Sequence, residues 1–396
     1  MAKSRMMRQS AMKLGRHDFL KGLSALFAGS AFPGCRTLSA DSGTYSVSIL
    51  GDTHFDTAPA GVYHGKWVPR HKNDWRDRQG EFKRNAEMWA GRLPRLVAAA
   101  AKTRRGDTAF LFQMGDLIQG DCSDYETHLR MFKDAQAACS KGFGGLPFLT
   151  VCGNHDIRGG GDRAFDGYIL PLASKALGFP VDSANFTFRH GPDAYVFVDF
   201  MRPDAALINR MLDETEDARY LFFVLHSPIA ASDTWGPYWF LLGKPEDTDA
   251  RRALFARLLK RRALVLCGHL HVTQIRRWRR DGGELVEFCA NSVWRPQEDR
   301  PSVLASTPAE YGDYAKAHPT PMDEDHDGCR QKRTQAEILA LQDEYRAGLV
   351  EYRKYLAAGH YLLRVSDRGV AVDFYACDSL VPTETFVLKG DDGDEE

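Results

Sequence analysis

The sequence predicts an α/β fold, and the prediction rests on the order and composition of its apolar segments. From residue 44 onward, short runs rich in valine, leucine and phenylalanine alternate with longer segments in which apolar residues recur at helical spacing. Some short runs, such as residues 220–225, are continuously apolar, as in strands covered on both faces of a sheet. This alternation favours helices packed on a sheet over an all-β or an all-helical fold.

The predicted elements follow in order along the first two thirds of the chain. Strands are expected at residues 44–50, 108–114, 147–152, 186–189, 195–200, 220–225 and 263–267, and helices at 85–103, 125–141, 205–212 and 249–260. The first helix carries Leu93, Leu96 and Ala100 at helical spacing. Pro94 lies inside it and is expected to kink or divide it.

The last third of the chain has a different pattern. Two hairpins are expected, one formed by residues 274–280 and 285–290 and one by residues 361–365 and 370–375. Both are expected to add antiparallel strands to a second sheet. Residues 296–333 are rich in proline and charge and predict an irregular insertion, whereas residues 334–356 predict a helix.

Composition excludes some classes of function. The 396 residues are 43% apolar, which is enough for a sizeable core in one large domain or two smaller ones. Because 52 Lys and Arg side chains nearly balance 53 Asp and Glu side chains, no long-range positive field is expected to hold a nucleic acid or an anionic membrane. The eight cysteines are scattered and reveal no disulfide pairing, and buried thiols are expected at Cys152 and Cys267.

The N-terminal segment resembles an export signal. Lys3, Arg5, Arg8, Lys13 and Arg16 precede a short apolar run at residues 22–32, which is too short to cross a bilayer as a helix. Arg16-His17 resembles a twin-arginine signal in which histidine replaces the second arginine, and Gly34-Cys35 resembles a lipoprotein cleavage site. The expected location is therefore the periplasm, a membrane surface through an N-terminal anchor, or the medium, and a disordered cytosolic tail is the alternative.

Polar motifs follow five of the predicted strands. They are Gly51-Asp52-Thr53-His54, Gly115-Asp116, Gly153-Asn154-His155-Asp156, Leu225-His226-Ser227 and Gly268-His269-Leu270-His271. The carboxyl ends of neighbouring strands meet in one crevice of an open α/β sheet, so these side chains are expected to converge. The glycines are expected to let the backbone turn sharply off each strand.

The chemistry of these side chains is that of a metal site. They include Asp52, Asp116, Asn154 and several histidines, a mixture that borderline metals such as Zn²⁺, Mn²⁺ and Fe prefer. A thiolate-rich structural zinc site would need clustered cysteines instead.

In this order the motifs resemble those of the calcineurin-like metallophosphoesterase superfamily, which read D-x-H, G-D, G-N-H-D, H and G-H-x-H. The resemblance implies a four-layer αββα sandwich of two mixed sheets flanked by helices. It also implies two divalent or trivalent metal ions, drawn from Mn, Fe, Zn, Ni and Co. The implied ligands are Asp52, His54 and His271 for one ion, Asn154, His226 and His269 for the other, and Asp116 as the bridge between them.

The resemblance further implies the hydrolysis of a small phosphodiester or phosphomonoester by a metal-activated hydroxide. His155 would be the catalytic residue that protonates the leaving oxygen or stabilises charge on the phosphoryl group, and Asp156 would orient it. The two ions would supply most of the charge stabilisation without a dedicated arginine. The alternative is a non-catalytic, metal-containing module that binds a phosphorylated ligand, which the intact ligand set disfavours.

The second motif departs from two branches of the superfamily. It continues as Leu117-Ile118-Gln119-Gly120, where the protein-phosphatase branch has an arginine and the purple acid branch has a tyrosine ligand. Phosphoprotein specificity and a mixed-valent iron centre of that type therefore lose support.

The resemblance divides the chain into four expected parts. They are an export signal at 1–40, the catalytic core at 41–295, an irregular insertion with a helix at 296–345, and closing strands of the same domain with an acidic tail at 346–396. A few residues outside the motifs have two readings each. Trp235, Tyr238, Trp239, Asn291 and Trp294 are expected either to line a pocket or to pack in the ordinary way. Residues 70–76 are expected to contact a substrate or to form a solvated loop. Residues 323–328 are expected to form a calcium loop or a solvated acidic turn.

Overall fold

Two mixed β-sheets pack face to face, with helices on their outer faces. The computed structural model describes residues 36–38, 43–56, 91–120, 124–231, 240–293, 305–317 and 334–390. Within these residues one sheet has six strands and the other has eight. The αββα architecture implied by the resemblance is therefore confirmed.

The strands and helices have the following bounds. The strands are β1 Arg36–Leu38, β2 Tyr45–Leu50, β3 Thr108–Gln113, β4 Phe148–Thr150, β5 Phe186–His190, β6 Asp193–Val198, β7 Leu221–Leu225, β8 Leu264–Cys267, β9 Thr273–Arg280, β10 Gly283–Cys289, β11 Leu349–Tyr355, β12 Gly359–Ser366, β13 Gly369–Ala376 and β14 Glu384–Lys389. The helices are α1 at residues 91–103, α2 Tyr125–Cys139, α3 Asp162–Leu177, α4 Ala205–Asp213, α5 Thr248–Lys260, α6 Pro308–Ala317 and α7 Gln335–Arg346. Short 3₁₀ turns lie at Arg158–Gly160 and Pro245–Asp247.

The strand order places parallel strands at the centre of both sheets. The six-stranded sheet has the order β14-β13-β12-β2-β3-β4, and the eight-stranded sheet has the order β1-β5-β6-β7-β8-β10-β9-β11. β2, β3 and β4 run parallel in the first sheet, as do β6, β7, β8 and β10 in the second. Parallel strands end at the same edge of a sheet, so the loops that follow them share one end of the sandwich.

The interior between the sheets is filled by aromatic rings. Phe112 on β3 meets Tyr195 and Phe197 on β6 edge to face, with ring centroids 5.6 and 5.4 Å apart. Rings in this arrangement contribute beyond the apolar area that they bury. A polar network crosses the interface as well, because the hydroxyl of Tyr45 on β2 donates to Asp193 on β6 at 3.0 Å.

The structure corrects several expectations about elements. The predicted helix at 334–356 ends at Arg346, and the alternating segment beyond Gly348 forms β11, because Gly348 has a φ of 79° that ends the helix. The sequence reading omitted α3, whose periodicity is interrupted by Gly167 and Pro171. It also omitted β1, α6 and β14. In the described part of α1 the helix continues through Pro94.

The two predicted hairpins form, but they belong to different sheets. β9 and β10 extend the eight-stranded sheet through the parallel pairing of β10 with β8. β12 and β13 extend the six-stranded sheet through the antiparallel pairing of β12 with β2. The expectation that both hairpins complete one second sheet is therefore wrong.

Some expectations concern residues outside the described ranges. These are the export signal apart from Arg36–Leu38, the loop at 70–76, the aromatic residues Trp235, Tyr238, Trp239 and Trp294, and the acidic segment 323–328. Thr334, which follows that segment, caps α7. No described helix combines the length and the apolar character needed to cross a membrane. The buried thiols expected at Cys152 and Cys267 are confirmed.

Candidate metal centre

All seven predicted metal ligands lie at one end of the sandwich, in the loops that follow parallel strands. Asp52 and His54 follow β2, Asp116 follows β3 and Asn154 follows β4 in the six-stranded sheet, whereas His226 follows β7 and His269 and His271 follow β8 in the eight-stranded sheet. The two sheets thus each contribute part of the set. The structure brings together six of these side chains, those of Asp52, His54, Asp116, His226, His269 and His271, while the role of all seven as ligands stays a prediction.

Three side chains form a first cluster. The Nε2 atom of His271 lies 3.1 Å from Oδ2 of Asp52 and 3.0 Å from Nε2 of His54. Their potential ligand atoms all lie within 4.8 Å of one another, close enough to hold one metal ion. The side chain of His271 is 16% exposed, so the cluster can be reached from solvent.

A second cluster adjoins the first. Nε2 of His226 lies 3.2 Å from Oδ2 of Asp116 and 3.1 Å from Nδ1 of His269. Oδ2 of Asp116 is also 3.7 Å from Nε2 of His54 in the first cluster. Asp116 therefore stands between the two clusters, where a bridging carboxylate would be needed.

Asn154 supplies an independent sign that the residues suit a cation. Its side chain is 4% exposed, and its Oδ1 atom has no hydrogen-bond partner among the described residues. A buried amide oxygen without a donor costs about 1–3 kcal/mol, so such atoms are uncommon in stable folds. A metal ion bound by this oxygen would give it the missing partner.

Burial controls the protonation of two of the histidines. It lowers the pKa of His54 to about 3 and the pKa of His269 well below its ordinary value. Both rings are therefore neutral near pH 7 and retain a lone pair for a metal.

His226 and Asp116 each shift the pKa of the other towards its charged form. Burial opposes protonation of His226, yet the carboxylates of Asp116 and Asp52 raise its pKa to about 10. Against the opposing effect of burial, His226 and His155 hold the pKa of Asp116 well below its usual range. The two carboxylates thus attract a positive charge to this position, and a metal ion would supply it in place of the proton.

The tautomer of His226 is set by a backbone contact. Its Nδ1 atom lies 2.6 Å from the carbonyl oxygen of Met114 and donates to it. Nε2 is thereby directed towards Asp116 and the centre.

The backbone geometry corrects the explanation of the glycines. Four of the candidate ligands have positive φ themselves, namely His54 at 44°, Asp116 at 49°, His269 at 71° and His271 at 52°. Side-chain-bearing residues adopt this region rarely and at a cost of about 1–3 kcal/mol, and they concentrate at functional sites. The sharp turns are therefore made chiefly by the ligands rather than by the glycines before them.

Three of the glycines instead allow another part of the chain to pass close to their backbone. A Cβ atom at Gly51 would lie 1.8 Å from the carbonyl oxygen of Asn291, and one at Gly268 would lie 2.4 Å from Oδ1 of Asp52. At Gly153 it would lie 2.1 Å from the backbone nitrogen of Asp116. Only Gly115 among the motif glycines of the described residues has a positive φ, at 85°.

His155 lies at the edge of the centre. One of its ring nitrogens is within 4.8 Å of potential ligand atoms of His54 and Asp116, and its ring meets that of His54 edge to face at 4.4 Å. Nδ1 donates to the carbonyl oxygen of Gln119 at 2.9 Å, so the lone pair of the neutral ring is on Nε2. Its catalytic role stays a prediction.

Asp156 does not orient His155 as expected. Its carboxylate accepts the backbone N–H groups of Ile118 at 3.1 Å and Gly153 at 2.9 Å. It thereby ties the loop after β3 to the loop after β4, while the Gln119 carbonyl holds the histidine ring. Burial and the neighbouring Asp116 carboxylate raise the pKa of Asp156 well above its ordinary value.

The sequence reading missed two residues of this region. Gln113, the last residue of β3, donates to the carbonyl oxygens of Gly51 at 3.2 Å and Gly115 at 2.7 Å and accepts the hydroxyl of Thr150. Its signal in the sequence is a lone polar residue at the end of an apolar run. Arg158 lies beside His155, and its signal is an arginine three residues after that histidine.

Comparisons with known structures give distant similarities. A purple acid phosphatase from yellow lupin seeds has 12% identity and a TM-score of 0.49, with 87% of this chain and 54% of that chain covered. The chain thus spans about half the length of that phosphatase. GAP50, the anchor in the inner membrane complex of Plasmodium, has 12% identity and a TM-score of 0.46, with 88% and 90% covered. A dimetal phosphatase from Danio rerio has 10% identity and a TM-score of 0.43, with 87% and 99% covered.

Sequence comparison identifies the family. No curated protein matches the chain. Residues 45–273, which are more than half of the chain and include all five motifs, match the family model of the calcineurin-like phosphoesterases. The chain therefore belongs to the calcineurin-like phosphoesterase family.

Proposed function

We propose that the protein hydrolyses a phosphate ester with two metal ions. Its proposed ligands are Asp52, His54, Asp116, Asn154, His226, His269 and His271. The observation that carries the proposal is the meeting of two clusters of potential ligands at Asp116. The family match over residues 45–273 supports the same class of reaction.

Each part of the centre has a defined task in this proposal. When bound, two metal ions would lower the pKa of a coordinated water and neutralise charge on the phosphoryl group. His226 is oriented by Met114, and Asp52 is oriented by the backbone N–H of His269 at 3.0 Å from Oδ2. His155 is held at Nδ1 by the Gln119 carbonyl, and when its ring carries a second proton, on Nε2, it would donate that proton to a leaving oxygen.

The experiment combines metal analysis with two assays. Purified protein is expected to contain Mn, Fe, Zn, Ni or Co and to hydrolyse p-nitrophenyl phosphate, bis-p-nitrophenyl phosphate or both. A chelator should abolish turnover, and adding back one of these metals should restore it. Protein that binds no metal and turns over neither substrate under any of these conditions would refute the proposal. A screen of mononucleotides, cyclic nucleotides and phospholipid head groups then identifies the substrate.

We also propose that the protein is exported through its N-terminal segment. The support is the order of basic, apolar and small residues in positions 1–40. Cell fractionation and mass spectrometry of the mature N-terminus test this proposal, and an intact N-terminus on protein confined to the cytosol would contradict it.

A further inference from the structure

A guanidinium borders the candidate metal centre beside His155. Nη1 of Arg158 lies 2.8 Å from Nε2 of that histidine and 3.1 Å from Nδ1. These two similar distances place Nη1 against the imidazole ring, near both nitrogens, while Nδ1 itself donates to the Gln119 carbonyl. The same imidazole has a ring nitrogen within 4.8 Å of the ligand atoms of Asp116 and His54. The positive charge of Arg158 is therefore adjacent to the position that a phosphoryl group would occupy in the proposed function.

The turn that carries Arg158 is fixed by several backbone contacts. Its carbonyl oxygen accepts from Nε2 of His128 at 2.9 Å and from the N–H of Gly161 at 3.2 Å. His128 is fully buried in α2. At Gly120 a Cβ atom would lie 2.2 Å from the carbonyl oxygen of His155, so this loop packs directly on the turn. A group held in this way needs little reorganisation when a substrate binds.

We propose that Arg158 binds a non-bridging oxygen of the substrate's phosphoryl group, next to His155. This inference rests on the proposed function. A guanidinium carries five N–H donors in a planar fork that matches the oxygen atoms of a phosphate, and its charge persists at every physiological pH. Arg158 then provides beside the centre a cation that stays charged when metals bind, whereas the histidines of the five motifs would be neutral as ligands.

The position of this charge also favours one substrate class. A terminal phosphoryl group of a monoester carries close to two negative charges near neutral pH, whereas a diester carries one. A fixed positive charge stabilises the more highly charged group by the larger amount. Arg158 therefore selects phosphomonoesters over phosphodiesters.

The test compares three variants of Arg158 with a control, and the third, Arg158→Ala, leaves space for an added guanidinium ion. Arg158→Met removes the charge, and Arg158→Lys keeps it without the planar fork. Arg163→Met is the control, because Arg163 is an exposed arginine nearby in α3 whose guanidinium lies over the ring of Tyr125 at 5.4 Å. Titration calorimetry with inorganic phosphate on the metal-loaded proteins measures binding without turnover, and elemental analysis measures the metal content.

The expected results separate phosphate binding from folding. Arg158→Met should bind inorganic phosphate about 10–100-fold more weakly at unchanged metal content, Arg158→Lys should lose less, and Arg163→Met should match the unmodified protein. The loss in kcat/KM should be larger for p-nitrophenyl phosphate than for bis-p-nitrophenyl phosphate. Millimolar guanidinium ion should restore part of the activity of Arg158→Ala, a gain that a purely structural role would not produce.

Distinct outcomes overturn the inference and the proposed function. Unchanged phosphate affinity in Arg158→Met would overturn the binding role of Arg158, and equal losses on the two substrates would overturn the preference for monoesters. Absence of turnover in the unmodified metal-loaded protein would refute the proposed function instead. In that case the calorimetric comparison still decides whether Arg158 binds phosphate.

Discussion

Asp116 is the side chain on which the candidate centre depends most. Its Oδ2 atom is 3.2 Å from Nε2 of His226 and 3.7 Å from Nε2 of His54, and its Oδ1 atom accepts the backbone N–H of His155 at 2.7 Å. One carboxylate thus contacts both clusters and the loop that carries the candidate proton donor.

Replacing this carboxylate by an amide tests its bridging role. We expect Asp116→Asn to lose activity and bound metal together. Its metal affinity should fall by more than about 100-fold, because loss of a residue that merely supports a ligand already lowers metal affinity by up to about 100-fold. Asp281→Asn, a change at an exposed hairpin turn, is the control. Elemental analysis beside the p-nitrophenyl phosphate assay measures both effects. Two metal ions retained in Asp116→Asn would show that Asp116 does not bridge.

His155 should affect turnover without affecting the metals. We expect His155→Ala to keep its metal content and to lose about 10²–10⁴-fold in kcat, the usual contribution of a positioned proton donor. The loss should be smaller for p-nitrophenyl phosphate than for phenyl phosphate, because nitrophenolate needs less help in leaving. An unchanged rate with both substrates would remove His155 from the mechanism.

His360 is a titratable residue far from the candidate ligands in the sequence, and it makes stability depend on pH. Burial lowers its pKa to about 4 while its ring stacks on Tyr375, 4.8 Å between centroids, and Thr103 contacts its Nε2 at 3.1 Å. Because its pKa is lower in the folded state than its unfolded value of about 6.5, the unfolded state binds the proton first as pH falls. The unfolding free energy should therefore decline between about pH 6.5 and pH 4.

The variant His360→Gln removes this titration. The free energy of unfolding of the metal-free proteins, measured in urea, should fall in both as the pH is lowered from 7 to 4.5. The fall should be smaller in the variant than in the parent chain, by about 2–3 kcal/mol. His54 and His269 titrate in the same direction in both proteins, so the difference isolates His360. Equal pH dependence of the two proteins would contradict the assignment.

At the scale of elements, the ends of β2, β3 and β4 are held together by Gln113. Its amide donates to Gly51 and Gly115, and its Oε1 atom accepts the N–H of Gly115 at 3.0 Å and the hydroxyl of Thr150. The side chain is 1% exposed. It therefore links the ends of β2, β3 and β4, and none of its described hydrogen bonds goes to the side chain of a candidate ligand.

Gln113→Met keeps the volume of this side chain and removes its polar atoms. We expect it to lower the free energy of unfolding by about 2–4 kcal/mol, because buried backbone groups lose their partners, and to weaken metal binding about 10–100-fold. Gln136→Met, on the half-exposed side of α2, is the matched control. Urea unfolding and metal titration measure the two effects, and unchanged metal affinity would show that Gln113 does not position the loops.

The elements also show where local patterns mislead. α3 packs against α2 and β4 although Gly167 and Pro171 interrupt its periodicity, so tertiary contacts outweigh its weak propensity. Residues 349–355 follow a helix in the sequence, yet β11 pairs along β9, whose edge offers unpaired backbone groups.

At the scale of the whole molecule, the candidate centre joins the two sheets at one end. Asp52, Asp116 and Asn154 come from the six-stranded sheet, and His226 and His269 come from the eight-stranded sheet. At a different position, a polar contact between β2 and β6 joins them again, where the Tyr45 hydroxyl donates to Asp193 at 3.0 Å. Metal ions would therefore act as cross-links between the layers.

Metal removal should lower thermal stability strongly for this reason. A ligand that binds only the folded state contributes about 3–4 kcal/mol when its concentration is 100–1000 times Kd, so removal of two such ions should lower Tm by about 5–10 °C in a chain of this length. Calorimetric scans of chelated and reloaded protein measure the change. Asp116→Asn should show a much smaller shift on reloading, and equal Tm values for the chelated and reloaded parent protein would contradict a structural contribution of the metals.

The sequence by itself determined the α/β class, most strands of the two sheets and the identity of the seven candidate ligands, because strand periodicity and the motifs are local patterns. Tertiary structure alone decided which sheet each hairpin joins, that the ligands and not only the glycines adopt positive φ, and that Asp156, Gln113 and Arg158 take their particular positions. Those features depend on contacts between segments distant in sequence, and such contacts leave no periodic signal along the chain.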